Sequence, residues 1–238
     1  MIIYKPTGKA REYCGLAANL YSGCNHGCIY CYVPLLLYKT REQFLRSSPR
    51  TQVIAQIARE APLYAGKEIL LCFTCDPYQS IEIEHKITRQ TLEIFTRHNI
   101  RARILTKAGM GSVIDVALMK ENRAIYGATL TFVDDVDSRY YEPYAALPWS
   151  RFEALKIAKE AGLETWVSLE PVISPEQSIE IIHLTHEYVD VYKVGKWNHD
   201  KKAKDINWRD FGIRAKEVLQ QYGKNYYIKR DLAVFLNG

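Results

Sequence analysis

The chain has no apolar run of the roughly 20 residues that a membrane-spanning helix needs, so no membrane partner is expected of its 238 residues. Its opening stretch, MIIYKPTGKAREY, has neither the apolar core nor the small-residue cleavage site of a signal peptide. The expectation is a cytoplasmic protein, whose thiols stay reduced. That leaves ligation, reactivity or plain packing as uses for the six cysteines, rather than bridges. No repeat, low-complexity tract or linker divides the chain. What remains is a single domain over 1–238, able to bury roughly three-quarters of the surface its unfolded form exposes. A core of that size needs neither a disulfide nor a metal.

Half of the cysteines are nonetheless crowded into one loop. In GCNHGCIYCY, residues 23–32, Cys24, Cys28 and Cys31 follow the spacing Cys-x3-Cys-x2-Cys, with no fourth cysteine beside them. A disulfide uses two thiols, and a structural zinc site uses four ligands. Gly23 and Gly27 supply the backbone freedom needed to aim three thiolates at one point. Soft thiolates favour zinc or an iron–sulfur cluster. His26 inside the loop, or Cys14 upstream, would complete a zinc site. A cubane cluster on three thiolates instead leaves one iron open to a small molecule.

Short apolar runs then alternate with amphipathic stretches. Runs at 15–21, 68–73, 101–107, 124–132, 164–172 and 189–196 read as buried strands, with a final short one expected at 225–230. Helices are expected between them, at 48–61, 85–99, 112–122, 150–162, 174–188 and 210–223. Ser47, Ser48 and Pro49 read as the start of the first, while Gly162 and Gly223 stop two others. Strand–helix alternation of this kind implies a parallel sheet with right-handed crossovers. The functional face then lies at the carboxyl ends of the strands, and the cysteine loop follows the first of them.

With an aromatic, Tyr30, just before its third cysteine, the loop resembles that of radical S-adenosylmethionine (radical SAM) enzymes. The resemblance extends to NLYSGCNHGCIYCY, TCDPYQSIEIEHKITRQTLEIF and ILTK, which look like the spore photoproduct lyase-like branch. Asn19, Tyr21, Gly23 and Cys24 match one motif of that branch. Thr74, Asp76, Pro77, Tyr78 and Gln79 match a second, and Thr106 with Lys107 a third. The resemblance implies a partial (β/α)6 barrel of parallel strands with outer helices. Its parts would be an N-terminal segment (1–14), core strands and helices (15–196) and a basic segment (197–238) closing the barrel. It implies a 4Fe-4S cluster on Cys24, Cys28 and Cys31, with S-adenosylmethionine on the open iron.

Further contacts to that cofactor are implied for Tyr30, Thr74, Cys75, Asp76, Lys107, Thr129 and Thr131, with Ser168 and Glu170 as neighbours. The activity implied is that of a lyase-like enzyme. An electron from a flavodoxin- or ferredoxin-type donor cleaves S-adenosylmethionine, and the 5′-deoxyadenosyl radical takes hydrogen from a substrate. The branch's hydrogen-donor cysteine aligns with Phe73 here, flanked by Cys72 and Cys75. Cys72, Cys75, Tyr32 and Tyr78 are the candidates to return a hydrogen. No sizeable N-terminal extension or C-terminal DNA-binding region is visible, which suits a small or nucleotide-sized substrate, or a macromolecule that covers the barrel mouth.

Charge adds a second reading. Residues 189–230 hold eleven Lys and Arg against five Asp and Glu, more than the whole chain's net +5. Lys196, Lys201, Lys202 and Lys204 could neutralise phosphates, and Trp197 and Trp208 could stack on bases. A nucleic-acid base or nucleotide is the substrate this favours. The rival class is a nucleic-acid-binding protein with structural zinc at the three cysteines.

Overall fold

The computed structural model of the chain describes residues 1–237. Ten strands form, β1 (Ile3–Tyr4), β2 (Ala17–Ala18), β3 (Tyr21–Ser22), β4 (Ser48–Pro49), β5 (Glu68–Leu71), β6 (Arg101–Ile104), β7 (Ile125–Thr129), β8 (Glu164–Leu169), β9 (Val191–Val194) and β10 (Asn225–Ile228). Eight of them make one sheet in the order β1-β2-β5-β6-β7-β8-β9-β10. From β2 to β10 every pairing is parallel, and only β1 runs antiparallel, against β2. The expected α/β architecture is therefore present, as a curved, open sheet rather than a closed barrel.

The strand β1 was not legible, because two residues carry no periodicity. A buried carboxylate captures it: Glu60 accepts hydrogen bonds from the amides of Ile2 and Ile3 at 3.0 and 2.9 Å. The gap between β1 and β10 is bridged by side chains instead of a ladder. Lys9 reaches Asp231 at 2.6 Å, and Glu12 accepts from Tyr227 at 2.9 Å and from the Arg230 amide at 3.0 Å. The terminal segments thus share one sheet with the core.

Helices Val53–Glu60, Ile87–Arg97, Val116–Asn122, Pro148–Glu160, Pro175–Thr185 and Trp208–Gln221 cover the convex face. The main apolar layer lies between them and the sheet, around Ile57, Leu92, Phe95, Leu155, Ile182 and Phe211. A smaller layer fills the concave side: Tyr13, Ala17, Leu70, Ile125 and Trp166. Side chains alternate along a strand, so Trp166 shares the concave face with Ser168 and Glu170. Its indole lies over Gly127 on the paired residue of β7 and donates to the Ile104 carbonyl at 2.9 Å. A Cβ at Gly127 would fall 2.2 Å from that indole nitrogen, which is why a glycine sits inside a strand.

One expected boundary is corrected. Ser48–Pro49 does not start a helix; it pairs with Tyr21–Ser22 as a separate two-stranded sheet. The helix begins at Val53 after Gln52, whose φ is +51°. Proline is tolerated in so short a ladder because both strands are edges. This pairing folds the chain after the first strand back on itself and brings Phe44 and Ser47 against Gly23.

Candidate cluster and cofactor site

The three thiols sit on a loop held from every side. The Cys24 amide donates to Phe44 O at 2.9 Å, that of Asn25 to Gln79 Oε1 at 3.0 Å, and that of Ile29 to Tyr141 O at 2.9 Å. Arg41 donates to the carbonyls of Cys28, at 3.1 Å, and Ile29. Asn19 accepts from the Phe73 and Thr74 amides at 2.8 and 2.9 Å, tying the exit of β2 to the exit of β5. Asn19, Tyr21 and Gln79 thus act as scaffold: Tyr21 donates to the buried Glu82, and Gln79 spans the loop.

Cys24, Cys28 and Cys31 line one cavity of about 140 Å³ together with Tyr30, Thr74, Cys75, Asp76, Lys107 and Thr129. A second cavity, of about 190 Å³, shares Tyr30, Cys31, Cys72, Lys107 and Thr129 with the first and extends to Tyr32, Glu170 and Lys229. Together they lie at the lower end of the ~300–1,000 Å³ usual for small-molecule sites. Burial pushes the thiols of Cys24, Cys28 and Cys31 up, that of Cys28 to about 12. Loading a metal must therefore expel protons.

The donor set fits an iron–sulfur cluster: three soft thiols on one wall, in a cavity larger than one ion. Among the described residues no group of three or more His, Cys, Asp or Glu forms a site for a single metal ion. The two candidate fourth ligands for zinc differ in place: Cys14 lies away from the cavity, while His26 lines it and is turned to Asp76. Cys14 lies by the amino-terminal end of β5, where its thiol donates to the Glu68 carbonyl at 3.5 Å. His26 has one ring nitrogen 3.1 Å from Asp76 and the other 3.3 Å from the Tyr144 carbonyl.

Several expected cofactor contacts are occupied by the protein itself. Asp76 accepts from Thr106 Oγ1 and the Lys107 amide, both at 2.7 Å, and from the Tyr78 amide at 2.8 Å. Burial would raise its carboxyl, but His26 and these donors hold it down to about 2. It is a clamp between the cysteine loop and the strand ends. The Thr131 hydroxyl turns to Glu142 at 3.3 Å, and Ser168 lies 3.1 Å from the Tyr13 hydroxyl. Tyr78 lies under the site with its hydroxyl 3.3 Å from Asp115. None of Thr131, Ser168 and Tyr78 lines either cavity. Tyr32 does line the larger one, its ring 5.4 Å from His199; Cys72 lines both.

Sequence reading missed a buried ionic group under the site. Glu142 and Arg151 pair at 2.5 Å, and Tyr30 and Thr131 donate to the same carboxylate. Burial opposes the charge on Lys107, whose ammonium lies 5.8 Å from the Tyr30 ring centre, but Cys28 and Glu142 more than offset it. Also missed were Tyr13 and Lys229, which converge on Glu170 in the concave face, Tyr13 at 2.7 Å. No periodicity or motif marks Tyr13 and Lys229; they meet only because the two terminal segments come together at Glu170. The expected base-stacking tryptophans are corrected. Trp197 and Trp208 are not exposed platforms: they are 4% and 5% exposed, Trp208 donates to the Ala203 carbonyl at 2.9 Å, and Trp197 shows only an edge to the larger cavity that it lines.

An incomplete parallel βα barrel with a three-thiol loop after its first core strand defines a class of α/β protein. The chain belongs to the radical SAM superfamily, whose family model matches residues 18–189. It is 27% identical over 182 residues to the uncharacterized protein ORF301 of Acidianus two-tailed virus, covering 68% of this chain and 58% of the relative. To the uncharacterized protein MJ0683 of Methanocaldococcus jannaschii it is 24% identical over 180 residues, covering 73% and 67%. The chain thus spans little more than half the length of the first relative. The fold is that of a spore photoproduct lyase variant (TM-score 0.71, 12% identity, covering 94% of this chain and 78% of that one). A spore photoproduct lyase complexed with dinucleoside spore photoproduct gives 0.69 at 12% identity, with the same coverage of 94% and 78%. SuiB of Streptococcus suis bound to S-adenosylmethionine gives 0.65 at 15% identity, covering 90% of this chain and 49% of that one. No helix among the described residues is long and apolar enough to cross a membrane.

Proposed function

We propose that this chain is an enzyme that holds a 4Fe-4S cluster on Cys24, Cys28 and Cys31 and binds S-adenosylmethionine beside it. The observation that carries the reading is the shared wall: the cavity with the three thiols has Tyr30, Cys31, Lys107 and Thr129 in common with a second one that extends to Glu170. When bound, the cluster supplies the electron that splits S-adenosylmethionine into methionine and a hydrogen-abstracting 5′-deoxyadenosyl radical. The protein's share is position and exclusion of water. Lys107 gives a point charge for the methionyl carboxylate, while Thr74 and Thr129 offer hydroxyls to the ribose. Cys72 and Tyr32 stand where a hydrogen could be returned to a substrate radical.

The substrate reading is a nucleotide or nucleic-acid base. Lys9, Lys196 and Lys229 line the larger cavity; Lys9 is paired with Asp231 and Lys229 with Glu170, which leaves Lys196 to meet a phosphate there. A neighbouring open groove adds Lys204 and Arg209. The spore photoproduct lyase structures with a dinucleoside ligand share this fold. With the tryptophans buried, phosphate contacts rather than stacking carry the reading.

Anaerobic reconstitution followed by iron, sulfide and 5′-deoxyadenosine assays tests the first part. About four irons per chain are expected, lost when all three cysteines become Ala. A full iron load in the triple variant would refute the ligand set. Lys107→Ala should weaken S-adenosylmethionine binding without changing iron content. For the substrate, binding of single-stranded DNA should fall with salt, and fall less steeply when Lys196, Lys201, Lys202 and Lys204 are Ala. A flat response in wild type would remove nucleic acid.

A further inference from the structure

Two further cysteines stand apart from the three on the loop. Cys72 and Cys75 bound the Cys-x2-Cys stretch CFTC at the carboxyl end of β5. Cys72 has a φ of +64°, left-handed backbone that a residue with a side chain adopts only where its surroundings hold it. The reversal there wraps the turn around Asn19, whose side chain accepts the amides of the two residues between the cysteines, Phe73 and Thr74. Both thiols then meet the next two residues of that neighbouring segment. The Leu20 amide donates to Cys72 Sγ, and Cys75 Sγ donates to the Tyr21 carbonyl, each at 3.5 Å.

The two sulfurs are thus gathered against one short segment, and they differ in access. Cys72 is buried, and burial together with the adjoining Cys75 thiol pushes its own thiol well up. Cys75 is only half-buried and opens on the smaller cavity. A Cys-x2-Cys pair with one open and one buried sulfur has the layout of a dithiol that reacts by exchange. The open sulfur meets the reagent, and the buried one resolves the mixed disulfide.

We propose that Cys72 and Cys75 form a dithiol site that closes reversibly to a disulfide by exchange with a low-molecular-weight disulfide such as oxidised glutathione. Cys75 loses its proton, attacks one glutathione sulfur and displaces the other glutathione as a thiolate, which takes up a proton. Cys72 then gives up its proton, attacks the Cys75 sulfur and displaces the second glutathione in the same way. The protein pair is oxidised, one external disulfide is reduced to two thiols, and the two protons end on them. Closure uses none of Cys24, Cys28 and Cys31. Its consequence does rest on the reading given above of the two cavities. Cys72 is the one thiol outside the cysteine loop that lines both of them, and in the closed form it carries no hydrogen to return to a substrate.

Trypsin cuts after Lys67 and Lys86, so the peptide 68–86 carries these two cysteines and no others, while Cys14, Cys24, Cys28 and Cys31 leave together on 12–39. Folded, iron-loaded protein is equilibrated without oxygen in glutathione buffers of increasing oxidised fraction. It is then quenched with acid, unfolded, alkylated, digested and weighed by mass spectrometry. Peptide 68–86 should pass from doubly alkylated to an unalkylated form lacking two hydrogens. It should close at a glutathione ratio roughly tenfold more reducing than the synthetic peptide 68–86 needs, because the fold holds the sulfurs together and a free chain does not. Cys72→Ser should leave one glutathione on Cys75, whereas Cys75→Ser should leave Cys72 unmodified. Folded protein that stays doubly alkylated where the free peptide has closed overturns the proposal. So does closure no easier in the fold than in the peptide, or a cross-link from 68–86 to 12–39 in place of the closed form. The same titration on metal-free protein keeps the two readings apart. Closure of 68–86 in protein that never takes up iron defeats the cluster reading and leaves the dithiol site standing.

Discussion

Gly23 offers a controlled test of how the thiol loop is aimed. Its φ is +88°, and a Cβ there would lie 2.5 Å from Phe44 O and 3.1 Å from Ser47 Cα. Both are backbone atoms, so no side chain can swing away. Gly23→Ala therefore incurs about 1–2 kcal/mol for left-handed backbone and about 1–3 kcal/mol for overpacking. The carbonyl it strikes also accepts the Cys24 amide at 2.9 Å, so relief of the clash shifts the first thiol. Gly162 is the control: its φ is +89°, with nothing within 4 Å of an added Cβ. Gly162→Ala should show the backbone cost alone. The difference, about 1–3 kcal/mol, corresponds to roughly 5 °C in melting temperature for a chain of this size. Thermal melts followed by circular dichroism on metal-free protein read it, and iron content after reconstitution reads the loop. Gly23→Ala should load less iron, and Gly162→Ala as much as wild type. Equal melting temperatures and equal iron in the two variants would refute the claim that the Phe44–Ser47 backbone sets the loop.

Arg151→Met should destabilise by about 3–5 kcal/mol, because it strands the buried Glu142 carboxylate; adding Glu142→Gln should recover part of that in urea denaturation. Asp76→Asn should blunt acid unfolding of the metal-free protein. A carboxyl held at about 2 in the folded chain, against ~3.9 unfolded, contributes stability above pH ~4 that is lost as pH falls toward 2, about 2–3 kcal/mol in all; wild type and variant with the same pH profile would count against the clamp. Cys14→Ser should leave metal content unchanged, since that thiol lies by the amino-terminal end of β5; loss of metal on that change would revive the zinc reading.

The alternation of apolar runs and amphipathic stretches was enough to specify a parallel α/β sheet, because a strand buried on both faces reads as a continuous apolar run and its covering helix as a 3.6-residue stripe. The cysteine spacing was equally legible, since three thiols on one loop are a local fact. Residues whose role depends on partners far along the chain were not. Asp76 reads from the sequence as a cofactor contact; its bonds to Thr106 and Lys107 and its approach to His26, which make it a clamp as well, appear only in the fold. Trp197 and Trp208 look like exposed stacking platforms, yet the fold leaves them only 4% and 5% exposed. Glu142 and Arg151 carry no motif, yet they form a buried ion pair beneath Tyr30. Tyr13 and Lys229, 216 residues apart, meet at Glu170 only because the fold brings the two terminal segments together there. Local backbone preference and hydrophobic period are written within a few residues. The pairing of buried polar groups is set by which strand ends the fold brings together, since a buried charge must find a partner wherever the chain places one.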